Sequence, residues 1–156
     1  MKGLSPKLCT YRIYFNEIFL PLHQPQRRIN PSLREIVKIE LQKLLDAGFI
    51  YPISDSKWVS TLVIVPKKGG KWRICVDYRE LNKATKKDHF PLPFIDQVLD
   101  TLAGKKYFSF LDGYSGYNQI SIALEDQAKT TFTCPWDIFA YSILPFVLCN
   151  SLAKFQ

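Results

Sequence analysis

The sequence contains no cysteine pair and no histidine cluster, and both absences exclude whole classes of site. Its four cysteines lie far apart without a C-x-x-C spacing, so the usual zinc patterns are missing. We expect them to be reduced, partly buried thiols in an intracellular protein. The sequence does not indicate which cellular compartment this is. The two histidines fall in segments expected to be loops, and neither G-x-S-x-G nor H-E-x-x-H occurs, so a Ser/His or Cys/His nucleophile is not predicted.

Long apolar runs and two familiar phosphate or RNA motifs are also missing. No stretch approaches the ~18 consecutive apolar residues of a membrane helix, and the N-terminal segment lacks an apolar core with a cleavage site. Neither export nor a membrane span is therefore indicated. The segment PKKGGKWR does not fit the pattern G-x-x-x-x-G-K-[ST], and the aromatic stretch KKYFSF lacks the glycine of an RNA-recognition motif.

The chain does contain enough apolar material for one sizeable core. Hydrophobic residues make up 47% of its 156 positions, and eleven phenylalanines and eight tyrosines argue against disorder. The formal net charge is +7, and residues 57–87 account for the whole excess, with nine Lys or Arg against two acids. Such a stretch is either an electrostatic footprint for phosphate groups or a solvated basic loop.

The first half of the chain predicts an arm, a helix and a hairpin. Residues 1–30 contain several prolines and are interpreted as an extended arm or linker. A helix then begins with Asn30 as its N-cap and Pro31 in its first turn, and Gly48 ends it. Its apolar stripe consists of Leu33, Ile36, Val37, Leu41 and Leu44. Two β-branched runs, Val59 to Val65 and Trp72 to Val76, predict a β-hairpin with a basic, glycine-bearing tip.

The second half alternates helices with antiparallel strands. The stretch PLPFIDQVLDTLAG predicts an amphipathic helix closed by Gly104. KKYFSFLD and QISIAL are expected to be strands on either side of GYSGYN, a tight turn or short helix, and TTFTCP and FAYSIL a further strand pair. PFVLCNSLAKFQ is interpreted as the opening of a helix. Because no regular βαβ period appears, the predicted fold class is α+β.

One acid, Asp112, stands at the end of the aromatic stretch YFSFLD and before a glycine-bearing turn. A carboxylate in this place can hold a hard divalent cation, and the amides from Gly113 to Gly116 would then face a phosphate, with Tyr117 as an aromatic wall. An Asp before Gly is more often an ordinary turn or N-cap residue. The residues alone leave both interpretations open.

Several long motifs, in order along the chain, resemble the reverse transcriptase of gypsy-type LTR retrotransposons, most of all those of plants. They are RRINPSLREIVKIELQKLLDAGFIYPISDSKWVS, VPKKGGKWRICVDYRELNKATKKDHFPLPFIDQVLD, FLDGYSGYNQI and KTTFTCPWDIFAYSILPFVLCN. The opening KGLSPKLCTYRI is similar to the segment between protease and polymerase in such polyproteins. The resemblance implies the fingers and first half of the palm of a right-hand polymerase, with residues 1–30 as an arm before a partial domain over 31–156.

The resemblance also assigns roles. Asp112 would be the first catalytic aspartate and bind Mg²⁺, or Mn²⁺ in its place, with two ions expected in the intact enzyme. Ser115 and Gly116 would let backbone amides approach the triphosphate, and Tyr117 would reject a ribonucleotide 2′-hydroxyl. Arg73 would contact the triphosphate together with a lysine, which the resemblance assigns to either Lys67 or Lys68. The full nucleotide-binding set is Lys67, Lys68, Arg73, Gly113, Ser115, Gly116, Tyr117 and Phe146. Lys71, Arg79 and Lys83 would contact the nucleic-acid backbone.

The expected partners follow from those roles: dNTPs, an RNA or DNA template with its primer, and the remaining palm, thumb and RNase H portion, with no membrane.

The family's other catalytic carboxylates lie in a Tyr-x-Asp-Asp hairpin, and this sequence contains no Asp-Asp pair. Asp137, Ile138, Val147 and Leu152 depart from the family pattern near the C-terminus. We therefore expect a polyprotein fragment that is inactive by itself. The alternative is a non-catalytic relic that binds nucleic acid through residues 57–87.

Overall fold

A computed structural model describes residues 3–67, 72–91, 93–109, 113 and 115–155. Its helices are α1 (Pro31–Asp46), α2 (Arg79–Ala84), α3 (Ile95–Leu102), α4 (Leu124–Gln127) and α5 (Ser151–Phe155), and short 3₁₀ helices cover Gly116–Gln119 and Ala128–Thr130. Its strands are β1 (Thr10–Tyr11), β2 (Ile50–Pro52), β3 (Ser60–Pro66), β4 (Trp72–Asp77), β5 (Ser121–Ile122), β6 (Phe132–Thr133) and β7 (Ile138–Tyr141).

Helix α1 begins and ends where the sequence predicts. The side chain of Asn30 accepts a hydrogen bond from the Ser32 amide at 3.1 Å, and Pro31 stands in the first turn, where an N–H would have no helical acceptor. Gly48 follows the last turn with a φ of +70°, a conformation that favours glycine. Val37 and Leu41 are buried, so the predicted apolar stripe packs into the core.

A five-stranded sheet in the order β2-β7-β6-β3-β4 carries the core. Strands β3 and β4 form the predicted antiparallel hairpin, with Val65 opposite Arg73. Strands β6 and β7 form the second predicted pair, and β2 lies antiparallel to β7. The parallel pairing of β3 with β6, in which Ser60 lies opposite Phe132, joins the hairpin to the other three strands.

The N-terminal segment is largely extended, and it packs into the same core as the rest of the chain. Strand β1 pairs with β5, and Tyr11 and Ile13 are each 2% exposed. The Ile13 amide donates to Asp126 Oδ2 at 2.9 Å. Lys129 Nζ donates both to the Ile13 carbonyl at 2.7 Å and to Asp126 Oδ1 at 2.5 Å. A buried carboxylate and its lysine therefore fasten this segment to α4, while a domain boundary at residue 30 stays a prediction.

Two segments differ from the expectation. Helix α3 forms and Gly104 follows it at a φ of +77°, yet none of its residues is buried, and Phe94 and Ile95 are 73% and 78% exposed. Residues 105–109, the described part of the expected strand KKYFSFLD, do not belong to a strand. Strand formation needs a sheet edge to pair with, and among the described pairings this stretch joins neither edge strand, β2 or β4.

All four cysteines are free thiols, with Cys134 buried and the other three half-buried, as expected. Within the described ranges, no helix has both the length and the apolar character needed to cross a membrane.

Tyr78, which directly follows β4, bonds the 3₁₀ helix Ala128–Thr130, so its hydroxyl offers a test of the fold. This fully buried hydroxyl donates to the Thr130 carbonyl at 2.6 Å. Burial raises the pKa of Tyr78 well above its usual value, so the phenol keeps the proton that it donates. We expect Tyr78→Phe to lower the free energy of unfolding by about 1–2 kcal/mol. Urea unfolding measures this, with the exposed Tyr107→Phe as an unchanged control; equal stability of both variants would contradict the assignment.

Candidate nucleotide-binding site

A cavity of about 410 Å³ opens where strand β4 meets the loop before α5. Arg73 from β4 and Phe146 from that loop both line it, so two residues of the predicted nucleotide set share one site. Asn118, Tyr141 and Val147 also line it. The volume lies within the range typical of small-molecule sites.

The charge available in this cavity is that of Arg73. The acid on the cavity wall, Glu40, is held by Lys43 at 2.6 Å. In the part of the chain that the structure describes, the Arg73 guanidinium has neither an ion pair nor a hydrogen bond. Burial raises the pKa of the adjacent Cys75 thiol, and the positive charge of Arg73 partly offsets the rise. A free guanidinium beside a half-buried wall is suited to an anionic group of a ligand.

Three aromatic rings, which we term the aromatic cluster, contact one another: Tyr117, Phe146 and Phe155. Of these, Phe146 lines the cavity. The Tyr117 ring meets Phe146 edge-on, with centroids 5.2 Å apart, and stacks on Phe155 at 4.8 Å. Phe146 is 72% exposed, whereas Tyr117 is half-buried. Tyr117 is therefore fixed by its neighbours, while Phe146 presents a free face to the cavity.

The turn before Tyr117 is shaped by the Phe155 ring. A Cβ added at Gly116 would lie 2.2 Å from Phe155 Cε2, and one at Gly113 would lie 3.2 Å from Cζ. Ser115 adopts left-handed backbone angles, φ 49° and ψ 40°, which non-glycine residues seldom do. The Gly116 amide donates to the Gly113 carbonyl at 3.1 Å. Packing against Phe155 thus explains why position 116 needs a glycine.

The two described residues predicted to contact the nucleic-acid backbone are both ion-paired. Arg79 forms a bidentate ion pair with Asp77, through Nε at 2.8 Å and a terminal nitrogen at 2.6 Å. A terminal nitrogen of Arg27 donates to the same carboxylate at 3.0 Å. Lys83 pairs with Glu80 at 2.7 Å. The hydrogen bond from Arg79 lowers the pKa of Asp77 against the effect of burial. Two guanidinium groups on one acid leave a local excess of positive charge on this face.

Four predicted residues remain: Lys67, Lys68, Lys71 and Asp112. Lys67 is exposed directly after β3. Lys68, Lys71 and Asp112 lie outside the described residues, so the placement of the predicted catalytic and metal-binding side chain stays a prediction. Within the described ranges, no three or more His, Cys, Asp or Glu side chains come together in a way that could hold a metal ion. These residues alone therefore do not fit a metal centre.

Three residues of this region were not identified from the sequence. Asn118 lines the cavity, and Asn82 bridges α2 to the cavity loop by donating to the Val147 carbonyl at 2.9 Å and accepting from the Cys149 amide at 3.0 Å. Arg27 meets Asp77, which lies 50 positions along the chain. No local pattern marks such partners, because each contact depends on the tertiary fold.

Gly116 and Phe155 can be tested as a pair. Gly116→Ala places a methyl group into the Phe155 ring, and we expect the free energy of unfolding to fall by about 1–2 kcal/mol. In the Phe155→Leu background the same change should cost clearly less, because the smaller side chain yields. A double-mutant cycle by urea unfolding measures the coupling. Strictly additive effects of the two changes would contradict the contact.

Asp77 predicts a particular dependence of stability on pH. Because its pKa is lower in the folded chain than in the unfolded one, its contribution is full above the unfolded pKa of about 3.9 and is lost as the pH falls through the folded pKa. Asp77→Asn removes the titrating group. Urea unfolding at pH 6, 4 and 3 should therefore show a steeper loss for the parent chain than for the variant. Parallel losses would exclude a stabilising Asp77 carboxylate.

Comparison with solved structures places this fold among polymerases. The crystal structure of the prototype foamy virus protease-reverse transcriptase, in a selenomethionine-labelled CSH mutant, superposes with a TM-score of 0.80 at 29% identity, covering 94% of this chain and 19% of that one. The foamy viral protease-reverse transcriptase in complex with RNA/DNA hybrid gives 0.77 at 27% identity, over 88% and 18% of the two chains. The expected α+β fold of fingers and partial palm is thereby confirmed.

Sequence comparison identifies the family. The retrovirus-related Pol polyprotein from transposon 412 of Drosophila melanogaster is 37% identical over 142 residues, which is 87% of this chain and 11% of that polyprotein. The chain thus spans about a tenth of this relative's length. Residues 65–156 match the family model for reverse transcriptase (RNA-dependent DNA polymerase). The chain therefore belongs to the reverse transcriptase family, as part of the reverse transcriptase domain of a retrotransposon polyprotein.

Proposed function

We propose that this chain forms the nucleotide-contacting fingers and first half of the palm of an RNA-directed DNA polymerase. In the assembled polymerase it would help to add dNTPs to a primer 3′-hydroxyl under direction of a template. The observation that carries the proposal is that Arg73 and Phe146, assigned separately by family resemblance, line one cavity beside Tyr117. A gypsy-type, plant-like element is the proposed origin, on the motifs quoted above.

Each side of the cavity has a proposed task. The Arg73 guanidinium, which has no partner within the described ranges, would hold the triphosphate through charge-assisted hydrogen bonds, with Lys67 or Lys68 beside it. Phe146 would pack against the nucleotide. Tyr117, which packs edge-on against Phe146, would form the surface under the sugar that rejects a 2′-hydroxyl.

The turn residues Gly113, Ser115 and Gly116 are proposed to bring backbone amides to the triphosphate. The Phe155 ring lies against both glycines, and the Gly116 amide already donates to a carbonyl. A triphosphate can therefore approach these amides only if the Phe155 ring moves away.

Asp112 is proposed to supply one carboxylate for Mg²⁺ or Mn²⁺. When bound, such ions stabilise the charge that develops on phosphate oxygens during nucleotidyl transfer. Among the described residues, no three or more His, Cys, Asp or Glu side chains come together in a way that could hold a metal ion, and the family's Tyr-x-Asp-Asp motif does not occur in this sequence. We therefore propose that a complete metal site needs further carboxylates from outside these 156 residues.

Template and primer are proposed to run along the basic face of residues 57–87. Support comes from the shared Asp77 carboxylate, which orients Arg79 and Arg27 together, and from the related foamy viral enzyme, whose structure contains an RNA/DNA hybrid. Lys71 and Lys83 would add further phosphate contacts. Binding by such a face is electrostatic and should weaken steeply with salt. The alternative function, a relic without catalysis that binds nucleic acid here, needs only this face.

Replacing Arg73 distinguishes the two functions. We expect Arg73→Ala to weaken dTTP binding in Mg²⁺ buffer by about tenfold or more, because a charge-assisted hydrogen bond to the triphosphate is lost. Equilibrium dialysis with labelled dTTP measures the affinity. Arg34→Ala, at an exposed position on α1, serves as a charge-matched control and should leave it unchanged.

The same experiment can contradict the polymerase assignment. Equal dTTP affinity of the parent chain and the Arg73 variant would remove Arg73 from the nucleotide site. Salt-sensitive binding of an oligonucleotide without measurable dTTP binding would instead favour the non-catalytic alternative.

A further inference from the structure

The side chain of Phe146, which lines the cavity beside Arg73, is largely exposed. Its exposed fraction is 72%, and among the described rings it contacts Tyr117 edge-on, with centroids 5.2 Å apart. Because packing constrains so exposed a ring only weakly, the backbone that carries the ring decides where it lies. We term residues 145–150, which directly precede α5, the cavity loop.

Asn82 of α2 holds the backbone of the cavity loop next to Phe146. Its side-chain nitrogen donates to the Val147 carbonyl at 2.9 Å, and its side-chain oxygen accepts from the Cys149 amide at 3.0 Å. Both polar atoms of this half-buried side chain are therefore bound to main chain. One asparagine thus fixes a carbonyl one residue after Phe146 and an amide three residues after it.

Helix α2 gives Asn82 a firm base. The helix follows strand β4, which carries Arg73, with the fully buried Tyr78 between them. The Asn82 amide donates to the Tyr78 carbonyl at 2.7 Å, and the neighbouring Leu81 is 1% exposed. The Asn82 side chain therefore connects the Phe146 wall of the cavity to the element that carries Arg73.

Asn150 makes the reciprocal connection from the end of the cavity loop. Its side chain donates to the Lys86 carbonyl at 2.8 Å and accepts from the Asp88 amide at 3.1 Å, and both of these residues lie just after α2. We term Asn82 and Asn150 together the asparagine clasp. Because hydrogen bonds depend on direction as well as distance, the four bonds of the clasp hold the loop in one position.

We propose that Asn82 is a positioning residue of the nucleotide site and acts through Phe146. The inference rests on the proposed function, since the placement of Phe146 matters only if its ring packs against a nucleotide. Asn82 itself does not line the cavity. Its task is to keep the Phe146 ring at the separation from Arg73 at which one nucleotide contacts both. Without the clasp, a nucleotide would have to order the loop as it binds, and affinity would be lost.

The test compares the dTTP affinity of matched asparagine variants in Mg²⁺ buffer, measured by equilibrium dialysis with labelled dTTP. Asn82→Ala should weaken binding about fivefold, because the loop loses two hydrogen bonds. Asn150→Ala removes the other half of the clasp and should weaken binding as well. Asn16→Ala is the control and should leave the affinity unchanged, because the Asn16 side chain makes no hydrogen bond among the described residues. Urea unfolding establishes that each variant is folded.

A double variant separates positioning from a general loss of structure. In the Phe146→Ala background, Asn82→Ala should have no further effect on dTTP affinity, because the ring that Asn82 places is gone. The same fivefold loss in both backgrounds would show that Asn82 only stabilises the fold, and would overturn the proposal.

Two further outcomes separate this inference from the proposed function. If Arg73→Ala weakens dTTP binding while Asn82→Ala and Asn150→Ala leave it unchanged, the positioning role alone is refuted. If the parent chain does not bind dTTP, the nucleotide site itself is refuted, and the positioning role with it.

Discussion

The parallel pairing of β3 with β6 is the contact on which the arrangement of the candidate site depends. Of the described pairings in the five-stranded sheet, it alone links the hairpin β3–β4 to β6, β7 and β2. The Ser60 amide donates to the Thr131 carbonyl at 2.8 Å, and Tyr78 adds its buried hydrogen bond to Thr130. Thr130 in turn accepts from the Tyr141 amide at 2.9 Å. The fully buried Thr130 thereby joins Tyr78, which directly follows β4, to Tyr141 of β7, and the neighbouring Thr131 bonds β3.

This junction explains how distant residues come to share a cavity. Arg73 lies on the far strand of the hairpin, and Phe146 lies in a loop that follows β7. Each is held by its own element, and the sheet sets the separation between them. Asn82 adds a second connection by tying α2 to the cavity loop. Two cations of the basic stretch, by contrast, are neutralised by ion pairs, Arg79 with Asp77 and Lys83 with Glu80. Among the described residues, the charge of this stretch is therefore divided between paired cations, such as Arg79 and Lys83, and unpaired ones, such as Arg73 and Lys67.

Features governed by neighbouring residues were predictable. The limits of α1 follow from Asn30, Pro31 and Gly48, and the hairpin follows from two β-branched runs around a glycine-bearing tip. Features that depend on a distant partner were not. The pairing of β1 with β5 and the burial of Tyr11 have no local signature, and an apolar face on α3 does not reveal whether anything covers it. The roles at the candidate site came from resemblance, since composition and spacing left Asp112 between a metal ligand and a turn residue.

The central claim, that Arg73 and Phe146 belong to one nucleotide site, is tested most directly by nuclear magnetic resonance. Backbone amide signals of the chain would be followed while dTTP is added. The account predicts that the largest shifts occur at Arg73, Asn118 and Val147, which line the cavity from three separate segments. Shifts confined to other regions, with these three amides unchanged, would contradict it.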